Sequence, residues 1–207
     1  LPCKPKAFDD ADCIDEVVSK VGRLAWRRSL SKSDVTSVRK IALAAAEEYG
    51  TFEAAVQYII LVLLQSPEFL YIIELGEPID EGHPDADPED EKRKRLTAVE
   101  LVTRMSFFLT DTTPSADLLD AAEEGGLETE EQIRAVAEQL LSSPAAKDAL
   151  TAFYGESFSL ELLDSKIKDP DFFPDYDAAL ASAMRTSVEK LLEDIVWTRN
   201  SDFREFI

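Results

Sequence analysis

Histidine, cysteine and nucleotide-binding motifs are scarce or missing in this chain of 207 residues. The one histidine, His83, lies between Gly82 and Pro84 in a charged stretch that offers it no fixed geometry. Histidine is the usual general base at neutral pH, so a serine or cysteine nucleophile with a histidine base is not expected. The sequence has no C-x-x-C-H, no Walker-type loop and no G-x-G-x-x-G, so it spells out no reaction.

Long apolar runs are also missing. The longest one, Ala54–Leu64, is interrupted by Gln57 and Tyr58 and is about half of the ~20 residues that span a bilayer. We therefore expect a buried core helix there and no transmembrane segment. The chain opens Leu-Pro-Cys without a charged-then-apolar signal segment. We therefore expect a processed or excerpted portion of a longer polypeptide.

Basic residues are few relative to acids. The chain has 22 Lys and Arg against 42 Asp and Glu, which gives a net charge of −20. Such a surface repels phosphate backbones, so nucleic acid is not an expected partner. It leaves open a generally salt-adapted surface, cation binding, or docking to a basic protein. An apolar content of 45% supplies a core for a soluble globular protein.

The only two cysteines, Cys3 and Cys13, lie ten positions apart. A metal site would need more ligands than this pair provides. A disulfide would close a short loop, stabilise the fold by roughly 2–3 kcal/mol and indicate an oxidising, extracytoplasmic compartment. The alternative is two unrelated free thiols in a cytosolic protein.

Helical spacing of apolar residues and helix caps recur along the chain, and strand signals are nearly absent. The charged stretch 76–95 interrupts this pattern. The sequence therefore predicts an all-α fold, an irregular bundle of two consecutive helical blocks, residues 1–75 and 96–207, joined by an acidic loop.

Several local features follow from the same pattern. Thr97 is predicted to cap a helix with Glu100 three positions on, and Glu100 is also placed to pair with Arg104 one turn later. The predicted buried stripe of this helix is Val99, Val102, Met105, Phe108 and Leu109. A later helix carries Leu180, Met184, Val188, Leu191, Leu192 and Ile195 on one face.

Carboxylates offer two further candidate sites. Asp85, Asp87 and Glu89 alternate like the start of a calcium loop, but Pro88 interrupts them and Leu96 stands where a bidentate Glu is due. The sequence is compatible with a weak cation site at these residues and with a solvated loop that binds no ion. A second acidic cluster, Asp164–Asp177, includes Phe172, Phe173 and Tyr176, which are expected to close a core edge. Its carboxylates could instead serve an active site completed by a C-terminal region outside this chain.

Four segments resemble known families. LTAVELVTRMSFFLTDTTPSADLLDAAEEGGL (Leu96–Leu127) resembles the bacterial domain-of-unknown-function family numbered 1592, and DPDFFPDYDAALASAMRTSVEKLLEDIV is similar to a later part of it. GRLAWRRSLSKSDV (Gly22–Val35) and LLQSPEFLY (Leu63–Tyr71) are similar to the companion family numbered 1595. Thr110 stands where the first family usually has Trp, and Ser29 where the second often has Pro.

The resemblance implies an exported, multidomain protein that often has a cytochrome-c-like module elsewhere in the polypeptide. It carries over no catalytic residue and no cofactor for this chain. The predicted function is therefore a helical scaffold or docking module of a larger exported protein, with a basic, haem-bearing partner or domain. The alternatives are a portion of an extracytoplasmic enzyme and a weak calcium-binding module.

Overall fold

The fold is given by a computed structural model that describes residues 1–79 and 93–206. Within these ranges the regular structure is helical apart from one short pair of antiparallel strands, which confirms the predicted all-α class. The helices are α1 (Ala11–Trp26), α2 (Lys32–Tyr49), α3 (Phe52–Gln65), α4 (Pro67–Leu70), α5 (Ala98–Thr110), α6 (Ala116–Glu123), α7 (Glu130–Leu141), α8 (Pro144–Ser157), α9 (Leu162–Ser165) and α10 (Ala178–Glu193).

The remaining regular segments are short. Strand β1 (Glu77–Pro78) pairs with β2 (Lys94–Arg95), with Glu77 opposite Arg95. A π-helical turn, Asp194–Thr198, continues α10, and a 3-10 helix covers Phe203–Phe206. None of the described helices combines the length and the apolar composition needed to cross a lipid bilayer.

The chain divides into two compact units. Unit 1 contains Leu1–Phe108 and Thr112–Ala137, and unit 2 contains Leu109–Asp111 and Glu138–Ile207. Helices α5 and α6 thus lie almost wholly in unit 1, with α1 to α4. The predicted division into domains 1–75 and 96–207 stays a prediction.

The core of unit 1 is built from one face each of α1, α2 and α3. Apolar residues in α1 recur at spacings of three and four, which places them on one side of the helix. Helix α3, which is apolar on most sides, packs against both of the others. The buried residues of this core are Cys13, Ile14, Val17, Val18, Val38, Ala42, Ala46, Phe52, Ala55, Ile59 and Leu63.

The first turn of α1 is held to the chain that precedes it. Cys3 and Cys13 form a disulfide with their Cα atoms 5.7 Å apart, as predicted. The Asp10 side chain accepts a hydrogen bond from the Cys13 amide and caps the helix. The cross-link and the cap together fix where α1 begins.

Helix α1 ends at Trp26, because Arg27 adopts a left-handed backbone conformation with φ 56°. Ser31 and Asp34 then form a capping box that opens α2. Arg27 and Arg28 therefore lie in the connection between two helices, where their side chains can point away from both helix axes.

The buried face of α5 differs from the predicted stripe. Val102 is buried as expected, but Phe108 is 84% exposed and Met105 and Leu109 are only half-buried. Thr103 and Ser106 are buried instead. The helix is rotated relative to the prediction, because small polar side chains occupy the side that contacts the protein.

The aromatic turn and α10 of unit 2 also differ from expectation. Phe172 is 79% exposed and Phe173 is half exposed, so neither closes a core edge. Of the predicted apolar face of α10, Leu192 and Ile195 are buried, whereas Leu180, Met184 and Leu191 are exposed. The core of unit 2 is consequently smaller than the sequence pattern indicates.

Candidate functional site

Arg27 is a buried cation at the end of α1. Its residue is 6% exposed, and its guanidinium donates hydrogen bonds to the carbonyl oxygens of Ala25, Glu68, Phe69 and Tyr71. The guanidinium also lies 5.6 Å from the ring centroid of Phe107. Burial lowers the pKa of Arg27, because desolvation disfavours its charged form. Within the described residues no carboxylate lies within 4.0 Å of it, so carbonyl dipoles and one aromatic ring stabilise the charge.

Arg28 lies beside Arg27 and has a different environment. Its Nη1 is 2.9 Å from the Asp34 carboxylate, and its guanidinium lies 5.2 Å from the Trp26 ring centroid. Its Nη2 is 3.7 Å from Glu68 Oε1, which is beyond hydrogen-bond distance. The Nη2 hydrogens of Arg28 are therefore the ones that a further acceptor could use.

Glu68 is held at the start of α4. Its Oε2 accepts a hydrogen bond from the Ser66 hydroxyl, which is the main reason that the pKa of Glu68 is lowered; the Glu68 amide adds to this effect. Glu68 therefore stays ionised beside Arg28, and one of its oxygens is already occupied.

Glu100 and Arg104 do not form the predicted pair. Glu100 Oε2 accepts from the amide and hydroxyl of Thr97, completing the predicted capping box, and its Oε1 accepts from the amides of Leu75 and Gly76. Arg104 instead binds Glu74 through Nε and Nη2. The i,i+4 spacing did not predict the partner of Arg104, because backbone donors outside α5 bind the Glu100 carboxylate.

A cavity of about 420 Å³ lies among these groups in unit 1. Such a volume falls within the range of small-ligand pockets. Apolar and charged side chains share the wall, with contributions from the end of α1, from α4 and the chain that follows it, and from α5. The lining residues are Trp26, Arg27, Arg28, Glu68, Ile73, Leu75, Thr97, Val99, Glu100 and Thr103.

Beside the cavity, unit 1 exposes a continuous apolar segment. Every residue of 69–75 except Glu74 has an exposed apolar or aromatic side chain. A neighbouring groove is lined by Ile72, Glu74, Arg104, Phe107 and Phe108, so Phe108 adjoins the segment. We call this surface, residues 69–75 with Phe108, the apolar ridge.

Most arginines of the described chain are neutralised by nearby carboxylates. Arg23, for example, lies 2.6 Å from Asp120 and 2.9 Å from Glu123, and Arg39 lies 2.7 Å from Asp15. Further pairs involve Arg28, Arg95, Arg104, Arg134, Arg185, Arg199 and Arg204. The excess of acids therefore dominates the electrostatic field of the surface.

Only the second of the two carboxylate clusters singled out in the sequence falls within the described residues. Asp85, Asp87 and Glu89 fall outside the described residues. In the second cluster, Asp177 accepts from the Leu180 amide and caps α10, and Asp169 accepts from the Asp171 amide. Over residues 1–79 and 93–206, no group of three or more His, Cys, Asp or Glu side chains is arranged to hold a metal ion.

Sequence reasoning missed the cavity and the role of Arg27. The pair Arg27-Arg28 stood in a motif that resembled a known family, but nothing in its spacing indicated which arginine is buried. The helix-ending conformation of Arg27 turns its side chain inward, and this depends on contacts with α4, some forty residues later. A cavity formed by such distant segments has no local sequence signal.

The fold and the site define an all-α protein with a helical pocket and a strongly acidic surface. The chain belongs to the family described as PSD4: Protein of unknown function (DUF1592), whose family model matches residues 96–207. Residues 13–74 match the family model described as PSD5: Protein of unknown function (DUF1595). Both matches confirm the resemblance and its order along the chain. No curated protein and no solved structure matches the chain.

The two family matches share unit 1. The DUF1592 match begins at residue 96, yet α5 and α6 belong to the same compact unit as α1 to α4. Glu123 of α6 illustrates the connection, since it binds Arg23 and also accepts from the amide and hydroxyl of Ser29. The first part of one matched segment thus completes the structure that the other begins.

Proposed function

We propose that this chain is a docking module of an exported protein, and that it binds a basic protein partner through its acidic surface and the apolar ridge. The observation that carries this proposal is the charge distribution. The net charge is −20, and the arginines named above are already paired with carboxylates. The remaining acids attract a cationic partner over the Debye length and speed its association.

The apolar ridge supplies the second part of the argument. Long-range attraction brings partners together, but a stable complex also needs apolar side chains that lose water on contact. Monomeric soluble proteins seldom expose a large contiguous apolar patch, and residues 69–75 form one with Phe108. A basic partner with an apolar contact patch fits this combination.

The exported location is supported by the disulfide between Cys3 and Cys13. Disulfides persist in oxidising compartments and are rare in the reducing cytosol. The proposal therefore includes a partner that shares this compartment, and the redox association implied by the family resemblance makes a basic c-type cytochrome the natural probe.

The test is a titration of the chain with a basic c-type cytochrome, followed by calorimetry at several salt concentrations. We expect binding at low ionic strength that weakens steeply as salt is added, since the attraction is screened. The matched control is the same cytochrome with its lysines acetylated, which should not bind. Equal binding of both forms, or no binding at low salt, contradicts the proposal.

Two variants locate the interface. Phe108→Ser removes the most exposed aromatic side chain of the ridge, and Phe172→Ser removes one of similar exposure in unit 2. We expect the first change to weaken binding about tenfold, since apolar anchors contribute on the order of 1.4 kcal/mol or more. The second should leave the affinity unchanged. Similar losses from both variants would place the contact elsewhere.

A further inference from the structure

The cavity of unit 1 has a polar side that its own residues leave partly unused. Thr103 is 5% exposed, and its side chain lines the cavity. A hydroxyl in a cavity wall can bond to water or to a ligand in the cavity. This observation is separate from the size of the cavity, and it points to an occupant with polar atoms.

The unused groups in the wall are mainly donors. Four of the five N–H groups of Arg27 are directed at carbonyl oxygens, and Nε has no acceptor within the described ranges. The Nη2 group of Arg28 has only the distant Glu68 oxygen. With the Thr103 hydroxyl, these groups call for an acceptor from outside the chain.

The two glutamates in the cavity wall already accept hydrogen bonds from other groups of this chain. Both oxygens of Glu100 accept two hydrogen bonds each, from Thr97 and from the amides of residues 75 and 76. Glu68 accepts from Ser66 and lies beside Arg28. The carboxylates are therefore committed to backbone and neighbouring side chains, whereas the guanidinium groups retain donors.

The rest of the wall is apolar. Trp26, Ile73, Leu75 and Val99 surround the space next to the arginines. Pockets of this composition bind ligands whose body is apolar and whose few polar atoms fix the orientation. The volume of about 420 Å³ suits a molecule of the size of a small aromatic or branched aliphatic acid.

We propose that this cavity binds a small carboxylate with an apolar body, whose carboxylate contacts Arg28 and the Thr103 hydroxyl near Arg27. The ligand would bring a negative charge to Arg27, whose buried guanidinium has no carboxylate within 4.0 Å in the described chain. Its apolar body would fill the space beside Trp26. This binding differs from the docking function proposed above, because it depends on Arg28 and Thr103 in the cavity, although Ile73 and Leu75 belong to both the cavity wall and the apolar ridge.

The experiment uses phenylacetate as the probe and phenylacetamide, its neutral analogue of the same shape, as the control. Binding is followed by the fluorescence of Trp26 in a Trp197→Phe background, which leaves one tryptophan in the chain. We expect phenylacetate to bind at or below the millimolar range and phenylacetamide to bind at least about tenfold more weakly, a difference of roughly 1.4 kcal/mol. Equal affinities, or no response to phenylacetate at about 10 mM, overturn the proposal.

Two variants test the assigned groups. Arg28→Gln removes the available donor, and Thr103→Val replaces the hydroxyl by a methyl group of nearly the same size. Each should weaken phenylacetate binding about tenfold or more while leaving phenylacetamide nearly unaffected. The matched control is Arg39→Gln, which removes an arginine that also pairs with one aspartate but lies outside the cavity.

Folding of the variants is checked by circular dichroism before binding is measured. If Arg39→Gln weakens phenylacetate as much as Arg28→Gln does, the effect is one of overall charge and the site assignment is wrong. If Arg28→Gln fails to fold, Thr103→Val alone decides, because it keeps every charge and nearly the same volume. Unchanged phenylacetate binding in a folded Thr103→Val chain also overturns the assignment.

Discussion

Unit 1 and unit 2 bury their apolar side chains to different extents. Three helices of unit 1 share a continuous core in which Ile14, Ile59 and Leu63 are fully buried. In unit 2 the wholly buried large side chains are Leu192 and Ile195, while aromatic residues such as Phe172 face solvent. Because apolar burial supplies most of the driving force for folding, we expect unit 1 to be the more stable part.

The largest expected effect comes from opening a cavity in each core. Leu63→Ala should lower the free energy of unfolding of unit 1 by about 2–5 kcal/mol, since the residue is wholly buried between helices. Leu192→Ala makes the same chemical change in unit 2. Amide hydrogen exchange, measured separately over α1–α3 and α8–α10, shows which unit each variant destabilises.

We expect Leu192→Ala to accelerate amide hydrogen exchange in α8–α10 and to leave α1–α3 protected, since unit 1 is the more stable unit. If Leu192→Ala lowers the protection of α1–α3 by the same free energy, the expected difference in stability is wrong, because the two units then unfold together. Leu63→Ala should affect α1–α3 directly, since its neighbours there lose their contacts.

The disulfide gives the next largest effect, and it belongs to unit 1. Reducing the bond between Cys3 and Cys13 should destabilise the fold by about 2–3 kcal/mol, because the unfolded chain gains loop entropy. The measurement is a urea titration with and without a reducing agent. The Cys3→Ser, Cys13→Ala double variant is the control, and its midpoint should not respond to the reducing agent. If the unfolding midpoint of the parent chain does not change on reduction, the disulfide does not stabilise the fold.

Glu100 tests how the chain after α4 is held to α5. Glu100→Gln should cost about 0.5–2 kcal/mol, because the neutral amide is a weaker acceptor for the Thr97, Leu75 and Gly76 amides. Thermal unfolding at neutral pH measures the loss. Glu53→Gln, at an exposed position in the first turn of α3, is a control for changing an acid near a helix start.

The same residue predicts a dependence on pH. Burial alone would raise the pKa of Glu100, but hydrogen bonds from Thr97, Leu75 and Gly76 outweigh it, so the pKa lies below its ordinary value of 4.5. The stabilisation is therefore complete above that value and is lost as the pH falls through the lower pKa of the folded state. In the Glu100→Gln variant this part of the acid destabilisation should disappear.

The sequence was informative where the physics is local. The capping residue Thr97 acts within three positions, so the start of α5 could be predicted. The Cys3–Cys13 bond spans a short loop and was equally accessible. These features depend on residues that are close in the chain.

The remaining features depend on contacts between distant segments. The burial of Arg27 requires the carbonyl oxygens of α4, and the exposure of Phe108 follows from which side of α5 meets the rest of unit 1. An apolar stripe shows that a helix has a preferred face, but α5 carries apolar and small polar residues on adjoining faces. Tertiary packing determines which of these faces of α5 is buried. The cavity also depends on contacts between distant segments, so it could not be predicted from the sequence.

The smallest expected effect concerns Arg104, and it separates local spacing from tertiary contact. The structure pairs Arg104 with Glu74, whereas spacing along α5 favoured Glu100. A double-mutant cycle with Arg104→Gln and Glu74→Gln should show coupling, and the cycle with Arg104→Gln and Glu100→Gln should show none. The coupling will be small and will shrink with added salt, because the Arg104 side chain is largely exposed. The reverse result would mean that the helix spacing, and not the chain after α4, determines where this arginine binds.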